Sequence, residues 1–207
     1  GELIDYDEGF ERRLELCLAA GRGDMETVYR SLHLGDLEVL NASILKRGGT
    51  ALMFAAANGQ DQTAEALCSH PGLQPLTTTS KGLTALSLAC SSECRKMLAH
   101  VLIQHSSDDG GQAVVQAACL RDDKSLKALL DAKADADAVD GQGRPALLIA
   151  ALRGNVKACE LLLGSGAYLA PPPTGAPSPT APRTAALWQI PNEQLQLVLK
   201  LYVDSNE

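Results

Sequence analysis

The sequence predicts an all-α protein built from stacked pairs of helices. The first observation is that pairs of small residues recur roughly every 33 residues along the chain. The second is that each pair is followed by an apolar segment of helical period. The third is an aromatic content of only 3% beside 45% hydrophobic residues, which favours helices packed closely on small side chains. The small pairs are Ala19/Ala20, Ala55/Ala56, Ala89/Cys90, Ala117/Ala118, Ala150/Ala151 and, less clearly, Ala185/Ala186.

Each small pair lies in a short first helix, because the residues around it repeat as well. The segments LELCLAAGRGD, TALMFAAANGQ, LTALSLACSSE, QAVVQAACLRD and PALLIAALRGN align without a gap. A second helix is predicted after each of them, with apolar residues four positions apart on its inner face. These inner positions hold Val28, Ala64, Leu98, Leu126 and Cys159, followed by Leu32, Cys68, Leu102, Leu130 and Leu163.

This helix–turn–helix repeat resembles the ankyrin repeat, with its D-x-x-G-x-T-P-L-H-x-A-A-x-x-G pattern and a second helix ending L-L-L-x-x-G-A-D. The clearest copy, DGQGRPALLIAALRGNVKACELLLGSGAY over residues 140–168, supplies Asp140, Gly143, Gly154 and the Leu triplet. The resemblance implies an α-solenoid of stacked helix–turn–helix units with short hairpin-loop fingers. It implies one repeat domain over residues 12–203, preceded by an N-terminal extension over residues 1–11. The expected repeats are 12–45, 46–79, 80–107, 108–139 and 140–170, then a Pro-rich connecting loop at 171–183 and a truncated capping repeat at 180–203.

Two repeats depart from the pattern at the turn between their helices. Glu93 and Arg121 stand where other repeats have Gly23, Gly59 and Gly154. Each of these two turns therefore requires a non-glycine residue in the left-handed conformation that glycine usually adopts, or a turn of another kind. The connection HSSDDGGQ before the fourth repeat is also short, which predicts a truncated finger loop there.

Charge and motifs argue against several classes of function. The formal net charge is −7 with no run of Lys or Arg, which disfavours nucleic acid and anionic membrane surfaces as partners. No stretch approaches 18 consecutive apolar residues. Neither a G-x-S-x-G elbow nor a phosphate-binding glycine loop is present, so we expect no enzyme activity and no cofactor. A soluble monomer of the cytoplasm or nucleus is expected.

The six cysteines lack zinc-finger spacing and are predicted to be buried, structural thiols of a reducing compartment. Cys90 and Cys94 precede His100 and His105, so a metal or redox site is conceivable. Cys90, however, fills the second small position of its repeat, which predicts a place in the core.

An acidic segment at Asp135, Asp137 and Asp140 resembles a calcium loop only faintly. Val139 and Ala146 stand where that loop needs ligands, so no metal site is predicted. The segment PPPTGAPSPTAP is either a stiff loop or an extended ligand for an aromatic groove.

The resemblance to ankyrin repeats implies which positions contact a partner. They are the loop residues flanking the glycine before each first helix, and the two residues after each small pair. Some of these positions hold small side chains, including Gly21, Ala57 and Ser91. The predicted contact residues are Arg22, Lys46, Arg47, Asn58, Lys81, Asp108, Asp109, Leu120, Gln142, Arg144, Leu152, Arg153 and Trp188.

The predicted contacts differ in character along the chain, and this difference suggests a partner. The N-terminal half is basic and polar, whereas Leu120, Leu152 and Trp188 offer apolar contacts in the C-terminal half. A partner segment with an acidic end and an apolar anchor fits this pattern. Trp188 is either such a contact or a residue that caps the last repeat.

Three functions are open at this point. The first is a non-catalytic interaction module, an adaptor or scaffold that binds a protein or peptide on its concave face and fingers. The second is a regulatory or inhibitory subunit that caps an enzyme such as a kinase. The third, a thiol-based redox or enzymatic role, requires a reactive thiolate at Cys94 or at another exposed cysteine.

Overall fold

A computed structural model describes residues 8–34, 37–44, 49–105, 108 and 110–167 of the chain. Within these ranges the protein forms eleven α-helices and no β-strand, so the predicted all-α class is confirmed. The chain divides into two compact units, Gly1–His105 and Ser106–Glu207.

The first compact unit contains three helix pairs and one short additional helix. The first helices of the pairs, α1, α4 and α6, pack side by side in chain order, and α3 packs on α1. The second helices, α2, α5 and α7, form a parallel row in the same order. Helix α1 begins upstream of residue 12, the expected start of the repeat domain. The helices are α1 (Glu8–Arg22), α2 (Met25–His33), α3 (Leu37–Asn41), α4 (Ala51–Ala57), α5 (Asp61–Cys68), α6 (Ala85–Leu88) and α7 (Ser92–His105).

The second compact unit contains two helix pairs in its described part. The first helices α8 and α10 pack on each other, and so do the second helices α9 and α11. The predicted Pro-rich loop at 171–183 and the predicted capping repeat at 180–203 lie outside the described residues. The helices are α8 (Gly111–Leu120), α9 (Asp123–Asp131), α10 (Ala146–Leu152) and α11 (Val156–Gly164).

The core of both units follows the predicted small and apolar positions. Ala20, Ala56, Ala118 and Ala151 are at most 1% exposed, so the absence of larger side chains lets neighbouring first helices approach closely. The inner residues of the second helices are also buried, with Leu32 as the exception because it is only partly covered. Each fully buried Leu or Val contributes about 1.5–3 kcal/mol to folding. The inner residues that are at most 1% exposed are Val28, Ala64, Leu98, Leu126, Cys159 and Leu163.

Three of the turns between paired helices require glycine. Gly23, Gly59 and Gly154 have φ between +64° and +77°, the left-handed conformation that a side chain disfavours. In the second of these turns the Gly59 N–H donates to the Ala56 carbonyl at 3.3 Å, and the Gln60 N–H donates to the Ala55 carbonyl at 2.9 Å. This pair of hydrogen bonds is the Schellman motif, which satisfies the last carbonyls of the first helix.

Arg121 takes the place of glycine in the fourth repeat and keeps the same turn. Its φ is +57°, and its N–H donates to the Ala118 carbonyl at 3.4 Å. The following N–H, of Asp122, donates to the Ala117 carbonyl at 3.0 Å. Of the two solutions that the sequence left open, this turn uses a non-glycine residue in the glycine conformation.

The third repeat uses a turn of another kind, and one prediction is wrong as a result. Helix α6 ends at Leu88, and α7 begins at Ser92. The Ser91 hydroxyl caps the start of α7, because it accepts a hydrogen bond from the Cys94 N–H at 2.9 Å. Glu93 therefore lies inside a helix. Cys90 was expected in the core, but it falls between the helices and is exposed, because α6 stops before reaching it.

Substituting glycine at these two positions should change stability in opposite directions. We expect Arg121→Gly to raise the free energy of unfolding by about 0.5–1 kcal/mol, because it relieves a strained backbone. We expect Glu93→Gly to lower it by about 1 kcal/mol, because glycine weakens a helix. Urea denaturation followed by circular dichroism measures both values, and a stabilised Glu93→Gly variant would contradict the assigned turn.

Candidate functional site

The exposed ends of α1 and α4 meet in the first compact unit. A Cβ atom built on Gly21 would lie 3.3 Å from Asn58 Nδ2 and 3.6 Å from Phe54 Cβ, so glycine allows the two helices to approach. The Asn58 side-chain amide donates to the Phe54 carbonyl at 2.9 Å and so caps the C-terminal end of α4. Arg22 and Asn58, two predicted contact residues, are exposed at these adjacent helix ends.

Polar side chains join consecutive repeats at the start of the second helices. In the first compact unit, the Ser91 hydroxyl donates to the Asp61 carboxylate at 2.9 Å. In the second compact unit, the Asn155 side chain donates to Asp123 Oδ1 at 2.7 Å. Ser91, one of the positions suggested for partner contact, is thus already engaged within the fold.

Two finger loops have the same internal hydrogen bonds. In one finger, the Thr79 N–H donates to the Leu83 carbonyl at 2.8 Å. In the other, the Asp140 N–H donates to the Arg144 carbonyl at 3.0 Å. Lys81 and Gln142, both predicted contacts, are exposed on these loops.

The Asp140 carboxylate holds the second finger closed. Its Oδ1 accepts the backbone N–H groups of Gln142 at 2.9 Å and Arg144 at 2.8 Å. Its Oδ2 accepts a hydrogen bond from Nε of the Arg144 guanidinium at 2.7 Å and forms an ion pair with Nη2 at 2.7 Å. Arg144 was predicted to contact a partner, and the structure places its charge in an ion pair within the loop.

These hydrogen bonds predict how Asp140 titrates. The Arg144 backbone N–H is the largest of the causes that hold the pKa of Asp140 below its ordinary value, and the Arg144 side chain also lowers this pKa. We expect Arg144→Gln to raise the pKa of Asp140 only part of the way back, because the backbone donors remain. Carbon-detected NMR of the carboxyl group measures this titration in both proteins.

The sign of the pH effect follows from the lowered pKa. The stabilising contribution of the Asp140 carboxylate is present above the pKa of an unfolded aspartate, and it is lost as the pH falls through the lower folded value. An unfolded peptide that contains Asp140 provides the reference titration. An unshifted Asp140, or complete recovery of the ordinary pKa in Arg144→Gln, would contradict the assigned hydrogen bonds.

The remaining described contact residues lie in the second compact unit. Leu152 is 58% exposed and Arg153 beside it is also exposed, whereas Leu120 is partly buried. Asp108 is exposed, but its Oδ2 accepts the Gln112 N–H at 2.9 Å at the start of α8. Four predicted contacts lie outside the described residues: Lys46, Arg47, Asp109 and Trp188.

The connection before the fourth repeat is short, and the truncated finger predicted there lies largely outside the described residues. Helix α7 ends at His105 and α8 begins at Gly111, whereas the connection from α9 to α10 runs from 132 to 145. A Cβ atom on Gly111 would lie 2.9 Å from Ala138 Cβ, so glycine is needed for close packing there.

The first helices also carry a row of apolar side chains that was not predicted from the sequence. Leu18, Phe54 and Leu88 immediately precede the small pairs of three consecutive repeats. Leu18 is 45% exposed, and the other two are partly exposed. A large apolar residue before every one of these pairs was the available signal, since the neighbouring positions already fill the core.

A surface groove of about 470 Å³ lies between α1, α2 and α3. Its lining mixes both charges, and Arg30 is paired with Glu26 at 3.2 Å, so no single ligand charge is favoured. None of the described lining residues was predicted to contact a partner. The lining residues are Arg12, Glu15, Arg30, Ser31, Leu34 and Val39.

The thiols and acidic groups give little support to chemistry at a reactive site. Burial raises the pKa of Cys94 to about 11, which disfavours the thiolate. Cys17, Cys68 and Cys159 are buried as well, each with a pKa raised to about 12. Within the described ranges, no three His, Cys, Asp or Glu side chains are grouped to hold a metal ion. No helix in this part of the chain has the length and apolar content needed to cross a membrane.

Comparison with known proteins gives family matches over most of the chain. A family model described as ankyrin repeats (3 copies) matches residues 16–109. A second, described as ankyrin repeats (many copies), matches residues 114–163. A search of curated protein sequences found no match.

Proposed function

Because this chain belongs to the ankyrin-repeat family and is therefore a protein–protein interaction module, we propose that it acts as a non-catalytic adaptor or scaffold. Its partner would bind the exposed face of the first helices together with the finger loops. One observation carries this proposal. Residues 146–151 of α10 are all buried, yet Leu152 at the end of the same helix is 58% exposed beside Arg153. Arginine is among the residues enriched at the centres of interfaces, and Leu152 offers apolar area beside Arg153.

We propose a partner segment with an acidic end and an apolar anchor. In the first compact unit, the exposed side chains of Arg22 and Lys81 supply positive charge. In the second, Leu152 supplies the apolar contact. Of the predicted cations, Arg144 contributes least to this proposal, because Asp140 already neutralises it.

A monomer in the cytoplasm or nucleus is part of the same proposal. All six cysteines are free, and four of them are buried in the core. Free cysteines are typical of a reducing compartment.

A regulatory subunit that caps an enzyme such as a kinase would use a larger surface than a peptide-binding adaptor. Each compact unit carries exposed predicted contacts of its own, which is compatible with a partner of this kind. A thiol-based enzyme receives less support, because burial raises the pKa of Cys94, the cysteine that it would need.

Affinity capture from a cell extract, followed by mass spectrometry and binding measurements with the purified partner, tests the proposed function. We expect Arg153→Ala to weaken binding about tenfold without lowering the melting temperature, since Arg153 is exposed. Lys157→Ala is the matched control, because Lys157 is an exposed cation on a second helix.

The same measurements separate the two kinds of partner. A synthetic peptide copied from the partner should keep most of the affinity if the partner binds as a segment, whereas an enzyme should bind only as a folded protein. Unfolding of Arg153→Ala, or equal losses in Arg153→Ala and Lys157→Ala, would contradict a binding surface on the first helices.

A further inference from the structure

The first compact unit carries a row of apolar side chains that the fold covers only in part. We call Leu18, Phe54 and Leu88 the apolar row. They occupy the same position in α1, α4 and α6, which pack side by side in that order. Leu18 is 45% exposed, and Phe54 and Leu88 are partly exposed. In the second compact unit the equivalent positions hold Gln116 and the buried Ile149, so the pattern belongs to the first unit.

The spacing of the apolar row selects the conformation of a partner segment that crosses the helices. Packed helices lie about 8–10 Å apart, so side chains at equivalent positions repeat at about that distance. A polyproline II helix returns to the same face every three residues, which is about 9 Å at its rise of about 3.1 Å. Side chains on one face of a β-strand repeat after about 6.6 Å, and those of an α-helix after about 5.4 Å. Among these shortest repeat distances, that of the polyproline II helix falls within the 8–10 Å expected between members of the row.

The neighbouring side chains leave space beside the row and set its charge. Three residues after each member of the row lies a small residue: Gly21, Ala57 or Ser91. Arg22 is exposed one turn after Leu18, and none of the described carboxylates pairs with it. Glu15 is exposed about one turn before Leu18, so a partner carboxylate is favoured only on the Arg22 side.

We propose that the apolar row binds a polyproline II segment of a partner protein. This segment has apolar side chains at every third residue and a carboxylate next to the residue that contacts Leu18. The proposal rests on the proposed function and names the class of partner. Each apolar side chain of the segment packs against one member of the row, and the carboxylate binds the Arg22 guanidinium.

A library of random 12-residue peptides displayed on phage, selected on the full chain, tests this inference. We expect enriched sequences with apolar residues three positions apart and an adjacent Asp or Glu. Calorimetry with synthetic copies of the enriched peptides should show binding weakened about tenfold by Leu18→Gln. Arg22→Ala should weaken it about fivefold, and Gln116→Ala in the second compact unit should leave it unchanged.

Several outcomes would overturn this inference. Enriched peptides with apolar residues two positions apart, or with the three-and-four spacing of an α-helix, would assign the row to another kind of segment. So would the absence of any enriched peptide, or binding that Leu18→Gln does not change. A synthetic peptide PPPTGAPSPTAPR, residues 171–183, lacks a carboxylate side chain, and tight binding of it would contradict the carboxylate of the proposed segment.

Failure of this inference can be told apart from failure of the proposed function. The proposed function is tested with Arg153→Ala in the second compact unit and a protein partner, and neither is used in the peptide experiment. Circular dichroism of Leu18→Gln checks its fold. Leu88→Gln gives a second variant of the row in case Leu18→Gln is destabilised.

Discussion

Leu162→Ala should lower the free energy of unfolding by about 2–5 kcal/mol, the largest effect that we expect from a single substitution. Leu162 lies in α11, which packs on α9 and α10, and its side chain is 0% exposed. Truncation removes apolar contacts and leaves a cavity that the surrounding helices fill only in part. Urea denaturation followed by circular dichroism measures the loss.

The control for Leu162→Ala is the same chemical change at Leu152. Leu152 is 58% exposed at the end of α10, so we expect Leu152→Ala to change stability by less than about 0.5 kcal/mol. It should instead weaken partner binding. Equal destabilisation by the two variants would mean that α10 and α11 are not packed as described.

Asn155→Ala should lower the free energy of unfolding by about 1–3 kcal/mol, the second largest effect. The Asn155 side chain accepts the Ala158 N–H at 3.2 Å and so caps the start of α11. It also donates to Asp123 Oδ1 at 2.7 Å and is only 6% exposed. The alanine variant therefore loses a helix cap and a link between two repeats at once.

A double-mutant cycle separates these two contributions. Asp123→Ala and Asn155→Ala should be less than additive by about 1 kcal/mol, because they share one hydrogen bond. Asp24→Ala is the control for the cap alone, since Asp24 caps α2 at an exposed site. Additive effects of Asp123→Ala and Asn155→Ala would show that the link between the repeats contributes nothing.

The sequence predicted the fold class and most of the core because these depend on regular spacing. The small pairs and the apolar positions of the second helices recur once per repeat, and the helical period places them on one face. Leu98, Leu126 and Cys159 are buried as this spacing predicts. Only Leu32 among the described inner positions is partly covered.

The turn in the third repeat could not be predicted from an alignment without gaps. Such an alignment assumes that the helices of every repeat end at the same position, and it placed Cys90 in the core. The chain instead starts α7 early, because Ser91 caps it and no glycine is present to form the other turn. Local hydrogen bonding overrode the repeat pattern at this point.

The candidate site was only partly predictable, for a different physical reason. The resemblance to ankyrin repeats implied which positions face outwards, and Arg22, Lys81 and Arg153 are indeed exposed. Whether a charge remains available depends on loop closure, which brings Asp140 to Arg144 and the Asp108 carboxylate to the start of α8. Individual side-chain pairs of this kind do not follow from spacing.

Three of the turns between paired helices leave no spare residue, which restricts how this chain can vary. The N–H of Asp24 donates to the Ala19 carbonyl at the end of α1, and the Asp24 side chain caps α2. Asp122 and Asn155 each serve two helices in the same way. An inserted residue would separate the backbone N–H that ends the first helix from the side chain that caps the second helix, and both helix ends would be disrupted. In natural variants of this chain we therefore expect insertions and deletions in the finger loops and constant length in these three turns.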